Sequence, residues 1–173
     1  SDELFSGYYD HYLLHFNHLQ NSNELEKHIS YWKKNVEPHI RNEVFKKENL
    51  FIENPNYRDY VYDQHEILSK YLNAPLKEKF KETKFSDDLF SNRRLNELFY
   101  EQVQPTLNNE DLNSMMYSVE NRSPFLNKKL FDFCYSISPG ILIDKGYTKS
   151  ILRESMKGIL QEEIRLDRVK KGF

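Results

Sequence analysis

Apolar positions along this chain recur mainly at helical spacing. In "ELEKHISYWKKNVEP", Leu25, Ile29, Trp32 and Val36 fall at i, i+4, i+7 and i+11, one stripe of an amphipathic helix, with Pro38 as a stop just beyond. Val61, His65, Leu68 and Leu72 in "RDYVYDQHEILSKYLNAP" make a second stripe, ended by Asn73 and Pro75. Leu95, Leu98, Phe99 and Val103 in "RRLNELFYEQV" predict a third helix, followed by Pro105. In "NNEDLNSMMYSVE", Leu112, Met115, Met116 and Val119 mark an apolar face, and Asp111, Ser114 and Ser118 run beside it as a polar stripe. "NRSPF" breaks the pattern. Leu126, Leu130, Cys134 and Ile137 resume it, with Asn127 placed as an N-cap and "SPG" at Ser138 to Gly140 as the end. A last helix runs from about Thr148 to Lys157, with Gly158 as its stop. "GILIDKGY" is the best strand candidate and is short, while the lysine-rich "APLKEKFKETKFSDD" reads as a connection. The pattern predicts a mainly α fold forming a single domain over residues 1–173.

Composition narrows the function classes. Charged residues make up 30% of the chain and the net charge is -2, which gives no reason to expect nucleic acid or an acidic membrane as a partner. No apolar run has the length of a membrane span and no signal peptide opens the sequence. The single cysteine, Cys134, favours a reducing, cytoplasmic setting. With 5 glycines, and neither GxGxxG nor GxxxxGK[ST], the sequence has little material for a glycine-rich phosphate loop.

Several groups are candidates for chemistry, each with a plainer reading beside it. His11, His15 and His18 share one helical face at i, i+4 and i+7, a metal-ligand spacing. They lack an HExxH acid, so a partly exposed histidine stripe beside the core face is the plainer reading. Lys149 follows Thr148, the expected N-cap, and so falls in a first helical turn, where a cation opposes the helix dipole unless an anion such as phosphate is bound. Otherwise it is a solvated lysine. Glu120 and Arg122 flank the turn ending in Pro124, as a salt bridge that fixes the turn or as a clamp for a polar substrate. Asp2 and Glu3 form a carboxylate pair of the type that binds Mg²⁺, or a solvated and frayed end.

Taken in order, "SDELFSGY", "EDLNSMMYSVENRSPFLNKKLFDF", "GYTKSILRESMKGILQEEIR" and "KKGF" resemble the synthetase domain of the asparagine synthetases. That family shows SGEGSDE(L/V)F-G-GY, D-R-x-S-M-x-x-S-x-E-x-R-x-P-F-L-D and G-x-x-K-x-x-L-R-E. The resemblance covers both ends and the last third of the chain; residues from about 20 to 100 match only as a helical stretch. It implies an adenine-nucleotide α-hydrolase-like (PP-loop) α/β domain of which this chain is the helical C-terminal portion, the parallel sheet being largely missing. It also implies a chemistry: ATP adenylates a carboxylate, with aspartate as the expected substrate, and ammonia released from glutamine in another domain attacks the acyl-adenylate. By motif, Asp2 corresponds to the Mg²⁺-binding aspartate and Glu3 to the acid beside it. Lys149 corresponds to the lysine that steadies phosphate charge, and Glu120 with Arg122 to the pair that lines or braces the substrate pocket.

The sequence also departs from the family. SGGxDS, the nucleotide loop, does not occur, and the SGEG that precedes the aspartate in the family is absent. Leu112 stands for the usual arginine and Asn127 for an aspartate, the latter compatible with capping. The expectation is therefore a fragment of a glutamine-dependent ligase, inactive alone, with its ATP and Mg²⁺ site empty and Asp2 and Glu3 frayed. Other readings are an amidotransferase acting on a sugar or other acid of surface polysaccharides, a non-catalytic helical binding module, and a zinc protein built on the histidine stripe. A homodimer is an open possibility, because an amphipathic chain without its sheet would expose an apolar face.

Overall fold

The computed structural model describes residues 1–58, 69–73 and 81–169. Among these the chain is mainly helical, and no sheet forms. This is the mainly α architecture that the periodicity predicts.

The larger core is built around α2 (Asp10–His18) and α3 (Leu25–Asn35). Tyr12, Leu13, Leu14 and Phe16 of α2 meet Ile29, Trp32 and Val36, three positions of the predicted α3 stripe. Phe16 and Trp32 pack edge to face with ring centroids 5.7 Å apart. The fourth stripe residue, Leu25, lies against this cluster partly buried. The short helix α4 (Leu50–Glu53) adds Phe51, and α5 (Leu89–Asn96) adds Phe90. Asn17 holds α4 in place by donating to the Phe51 carbonyl at 2.9 Å.

A smaller core joins the start of the chain to its later helices. Leu4 and Phe5 of α1 (Asp2–Phe5) pack with Leu98, Leu142 and Cys134. Cys134 lies on α7 (Lys128–Ser136), whose N-cap is the predicted Asn127, accepting from Lys129 N at 2.9 Å. Two short helices follow, α8 (Ser150–Ser155) and α9 (Glu162–Arg165). α8 ends at Ser155, short of the expected Lys157, and Gly158, at φ 76, lies beyond it in the following turn rather than acting as its stop.

Several expectations are corrected. The predicted third helix is α5, which begins earlier and is capped by Asp88 accepting from Ser91 N at 2.8 Å. It gives way to a π turn over Glu97–Glu101. Pro105 does not terminate it: α6 (Val103–Met115) restarts immediately, with Pro105 in its first turn, where the missing N–H has no intrahelical partner to lose. The apolar face of α6 is not core. Leu112, Met115, Met116 and Val119 are all exposed, Met116 by 80%. The helix ends at Met115 rather than continuing to Glu120, and Ser118 reverses the chain at φ 55. "GILIDKGY" forms only a turn with one antiparallel bridge, Asp144 to Tyr147, around Gly146 at φ 76.

The described part of the lysine-rich connection is irregular, as predicted, and is held by Asn92 and Asn96, which accept from Phe85 N and Thr83 N at 2.8 and 2.9 Å. Of the helix predicted on Val61, His65, Leu68 and Leu72, most lies outside the described residues, as does "KKGF". The described Ser69–Tyr71 is a 3-10 turn.

Candidate functional site

The first residues are not frayed. Ser1 to Phe5 form a helical turn closed by Ser6 in the left-handed region at φ 61, and Glu3, Leu4 and Phe5 are buried. Arg94 of α5 holds this turn from beneath. Its Nε donates to the Glu3 carbonyl at 2.9 Å and its Nη2 to the Leu4 carbonyl. The guanidinium lies between two rings, 5.4 Å from the Phe90 centroid and 4.7 Å from that of Tyr135, so a buried charge is met by carbonyl dipoles and aromatic faces.

Lys149 is carried to the same place by the other end of the chain. Tyr12 OH donates to the Gly146 carbonyl at 2.9 Å and fixes the turn before it. Lys149 N then donates to the Phe5 carbonyl at 3.0 Å, and Ser150 N to Leu142 O at 2.9 Å. The result is an ion pair between Lys149 Nζ and Asp2 Oδ1. Gly7 makes the space: a Cβ there would stand 2.5 Å from Asp2 Cγ and 2.5 Å from Lys149 Cε. Lys149 is not in a first helical turn as predicted. It is the N-cap residue of α8 and sits at φ 54, a conformation that costs a non-glycine residue on the order of 1 kcal/mol. Thr148 therefore does not cap the helix.

Glu3 faces a different space from Asp2. It accepts from Tyr8 OH at 2.6 Å and from the Ser1 ammonium at 3.3 Å. Burial, followed by the hydrogen bond to Glu3, pushes the Tyr8 hydroxyl well above its ordinary pKa, so it remains a donor. Glu3, Tyr8, Thr106, Glu110 and Arg122 line a pocket of about 360 Å³. Arg122 also donates to Glu120 at 2.9 Å; the two side chains are 79% and 68% exposed, so the pair bends over the rim rather than forming a buried brace. A neighbouring pocket of about 290 Å³ is more apolar and is lined by Leu4, Leu98, Phe99 and Phe131.

The three histidines do not form one site, and of the expected partly exposed stripe only His18 is exposed. His11 is fully buried and its Nε2 lies 2.7 Å from Glu97 Oε2. His15, also buried, contacts His28 Nδ1 at 3.2 Å, and His18 contacts Asp88 at 2.9 Å. Burial lowers His11 to about 4 and His15 to about 3, and raises Glu97 to about 8. Asp111 and Ser118 are exposed and Ser114 is half-buried.

Thus the five residues singled out at the ends and the turn fall into two adjoining groups, Asp2 with Lys149 and Glu3 with Arg122 and Glu120. A family model described as asparagine synthase matches residues 1–173. The chain belongs to the asparagine synthase family. No curated protein and no solved structure matched it. The family is one of ATP-dependent amidotransferases and ligases, and the mainly helical architecture agrees with a helical part of its synthetase domain.

Sequence reasoning missed Gly7, Tyr8, Arg94 and Glu97. One signal was available for Arg94: it lies at i+4 from Phe90 and i-4 from Leu98, a cation inside an apolar stripe. Gly7 carries no periodic signal, because its role is to leave room for residues distant in sequence.

Proposed function

We propose that this chain supplies the phosphate- and acid-facing side of a ligase that activates the side-chain carboxylate of aspartate with ATP and converts it to an amide with glutamine-derived ammonia. The observation that carries the reading is the meeting of Asp2 and Lys149 over Gly7. A carboxylate, an ammonium and a cleared cradle suit a nucleotide phosphate with its Mg²⁺. The ammonium would turn from Asp2 to phosphate oxygens, leaving the carboxylate as a metal ligand. Bound Mg²⁺ would neutralise phosphate charge. Lys149, fixed by its backbone bond to Phe5, would stabilise the negative charge that grows on the phosphate as the adenylate forms.

The pocket beside it supports an amino acid as the acceptor. Arg122 offers a donor fork for a carboxylate, while Glu3 and Glu110 offer acceptors for an ammonium. A sugar acid has no ammonium to offer those two carboxylates. Glu3, held by Tyr8, would also stand where an incoming ammonia could give up a proton. The sequence lacks SGGxDS, so we expect the chain alone not to form the adenylate. In the full-length protein, Lys149→Ala should lower aspartate-dependent ATP–pyrophosphate exchange by at least 100-fold, a loss of about 2.7 kcal/mol. Unchanged exchange would refute the role, and exchange driven by a uronic acid but not by aspartate would refute the acceptor.

A further inference from the structure

Lys149 occupies the left-handed region at φ 54, which a non-glycine residue keeps only where its surroundings over-determine it. The direction of its side chain follows from the two peptide planes that meet at its Cα, because their rotations are its φ and ψ. Both planes are held at both ends. In the first, Lys149 N donates to the Phe5 carbonyl at 3.0 Å, and the Thr148 carbonyl accepts from Arg153 Nε at 2.9 Å. In the second, Ser150 N donates to the Leu142 carbonyl at 2.9 Å, and the Lys149 carbonyl accepts from Arg153 N at 2.9 Å. Arg153 thus supplies the donor at both carbonyls, once through its side chain and once through its backbone.

The side-chain bond is charge-assisted, and so stronger than its neutral neighbours. It is also not a bond internal to α8. Thr148 lies before the helix, and the Arg153 side chain runs back to it from the last turn. The guanidinium is itself fixed. Its Nη1 donates to the Arg165 carbonyl, and Arg165 Nη1 returns a bond to the Arg153 carbonyl at 3.3 Å. Arg165 is buried and pairs with Glu162 at 2.6 Å. The Arg153 guanidinium also lies 5.4 Å from the ring centroid of Tyr147, in the turn that leads to Lys149. A rigid fork can serve the Thr148 and Arg165 carbonyls together, whereas a lysine ammonium is a single point charge.

We propose that Arg153 is a positioning residue for Lys149. By bonding the Thr148 carbonyl it locks the peptide plane ahead of Lys149, and so aims the Lys149 ammonium at Asp2 across the space that Gly7 leaves. It acts through Lys149 rather than on the phosphate. Its consequence for the reaction rests on the phosphate role proposed for Lys149; the aim of the side chain does not, and is measured separately.

Two measurements on the full-length protein test this. The first is the rate of reductive methylation of Lys149, read by mass spectrometry against that of the exposed Lys128. The ion pair with Asp2 and partial burial protect the Lys149 amine, whereas the Lys128 side chain is 85% exposed. Arg153→Met keeps an apolar stem and removes both guanidinium bonds. Methylation of Lys149 should then rise several-fold, with Lys128 unchanged. The second is ATP–pyrophosphate exchange in a double-mutant cycle. Arg153→Met should lower exchange about 10-fold when Lys149 is present, because a misplaced charge-stabilising group is costly, but by less than about 2-fold when Lys149 is already alanine. Equal losses in both backgrounds would show a merely structural role and overturn the inference. So would a Lys149 methylation rate that stays at the wild-type value. If Lys149→Ala leaves exchange intact, the phosphate reading fails, and the methylation rate alone decides whether Arg153 aims the lysine. If Arg153→Met does not fold, Arg153→Lys takes its place with the same expected rise, and a wild-type rate in that variant overturns the inference.

Discussion

Helices α2 and α6 each carry four apolar residues, yet the fold treats them in opposite ways. In α2, seven consecutive residues from Asp10 to Phe16 are buried, including two histidines and an aspartate. In α6, not one residue is buried, although Leu107, Leu112 and Met115 lie along it. A stripe at helical spacing says that a helix has an apolar face. It does not say what will cover that face. For α2 the cover is supplied by α3, α4 and α5, while Met115 and Met116 at the end of α6 stay 55% and 80% exposed.

The sharpest way to break this contrast is to remove a large side chain from the α2 core. Trp32 is fully buried against Phe16. Trp32→Ala should lower the unfolding free energy by about 4 kcal/mol in urea titrations, through lost burial and the cavity left behind. A loss below about 1 kcal/mol would mean that this region is not the main core.

The next effect concerns the link between the two cores. Arg94→Met keeps an apolar stem between Phe90 and Tyr135 but leaves the Glu3 and Leu4 carbonyls without their donor. The expected cost is about 3 kcal/mol, since each buried acceptor left unpaired costs on the order of 1–3 kcal/mol. Amide exchange should show α1 opening before α2. Uniform opening of both would contradict the assignment of Arg94 as the tie.

These two residues also show what the sequence makes legible. Trp32 was readable because α3 is amphipathic, and its spacing alone points inward. Asn127 was readable because capping is a local matter. The candidate site was readable only in part. Asp2, Glu3, Glu120, Arg122 and Lys149 stand out by their resemblance to a family motif, but nothing local says that Asp2 meets Lys149 while Glu3 turns to Tyr8. Pairing across the length of the chain is decided by tertiary packing, and so is the fate of the three histidines. Their shared spacing places them on one helical face, whereas the neighbours Glu97, His28 and Asp88 divide them.

The third prediction uses that division. His15 is kept neutral by burial, with His28, His18 and Asp88 as the charged or titratable groups around it, and its pKa is about 3. The unfolded chain protonates it below about pH 6.5. Its contribution to stability is therefore complete above that pH and declines as the pH falls toward about 3. At pH 5 the loss relative to neutral pH should be on the order of 2 kcal/mol. His15→Gln should reduce the slope of this acid limb of a stability–pH profile without abolishing it, because burial holds His11 at about 4 and it titrates over the same window. A limb that keeps its slope in the variant would place the titration elsewhere.

The smallest expected effect is the most informative about α6. Met116→Ser deletes apolar surface from a side chain that is already 80% exposed. Little burial is lost, so the unfolding free energy should change by less than about 0.5 kcal/mol, the range of ordinary surface substitutions. The matching experiment at Leu14, which is fully buried, should show a loss several-fold larger when it is truncated to alanine. If Met116→Ser instead destabilised as much as a core truncation, the face of α6 would have to be covered in solution, and the difference between the two helices would be one of partners rather than of burial. A dependence of that loss on protein concentration would then separate a cover supplied by a second copy from one supplied within the same chain.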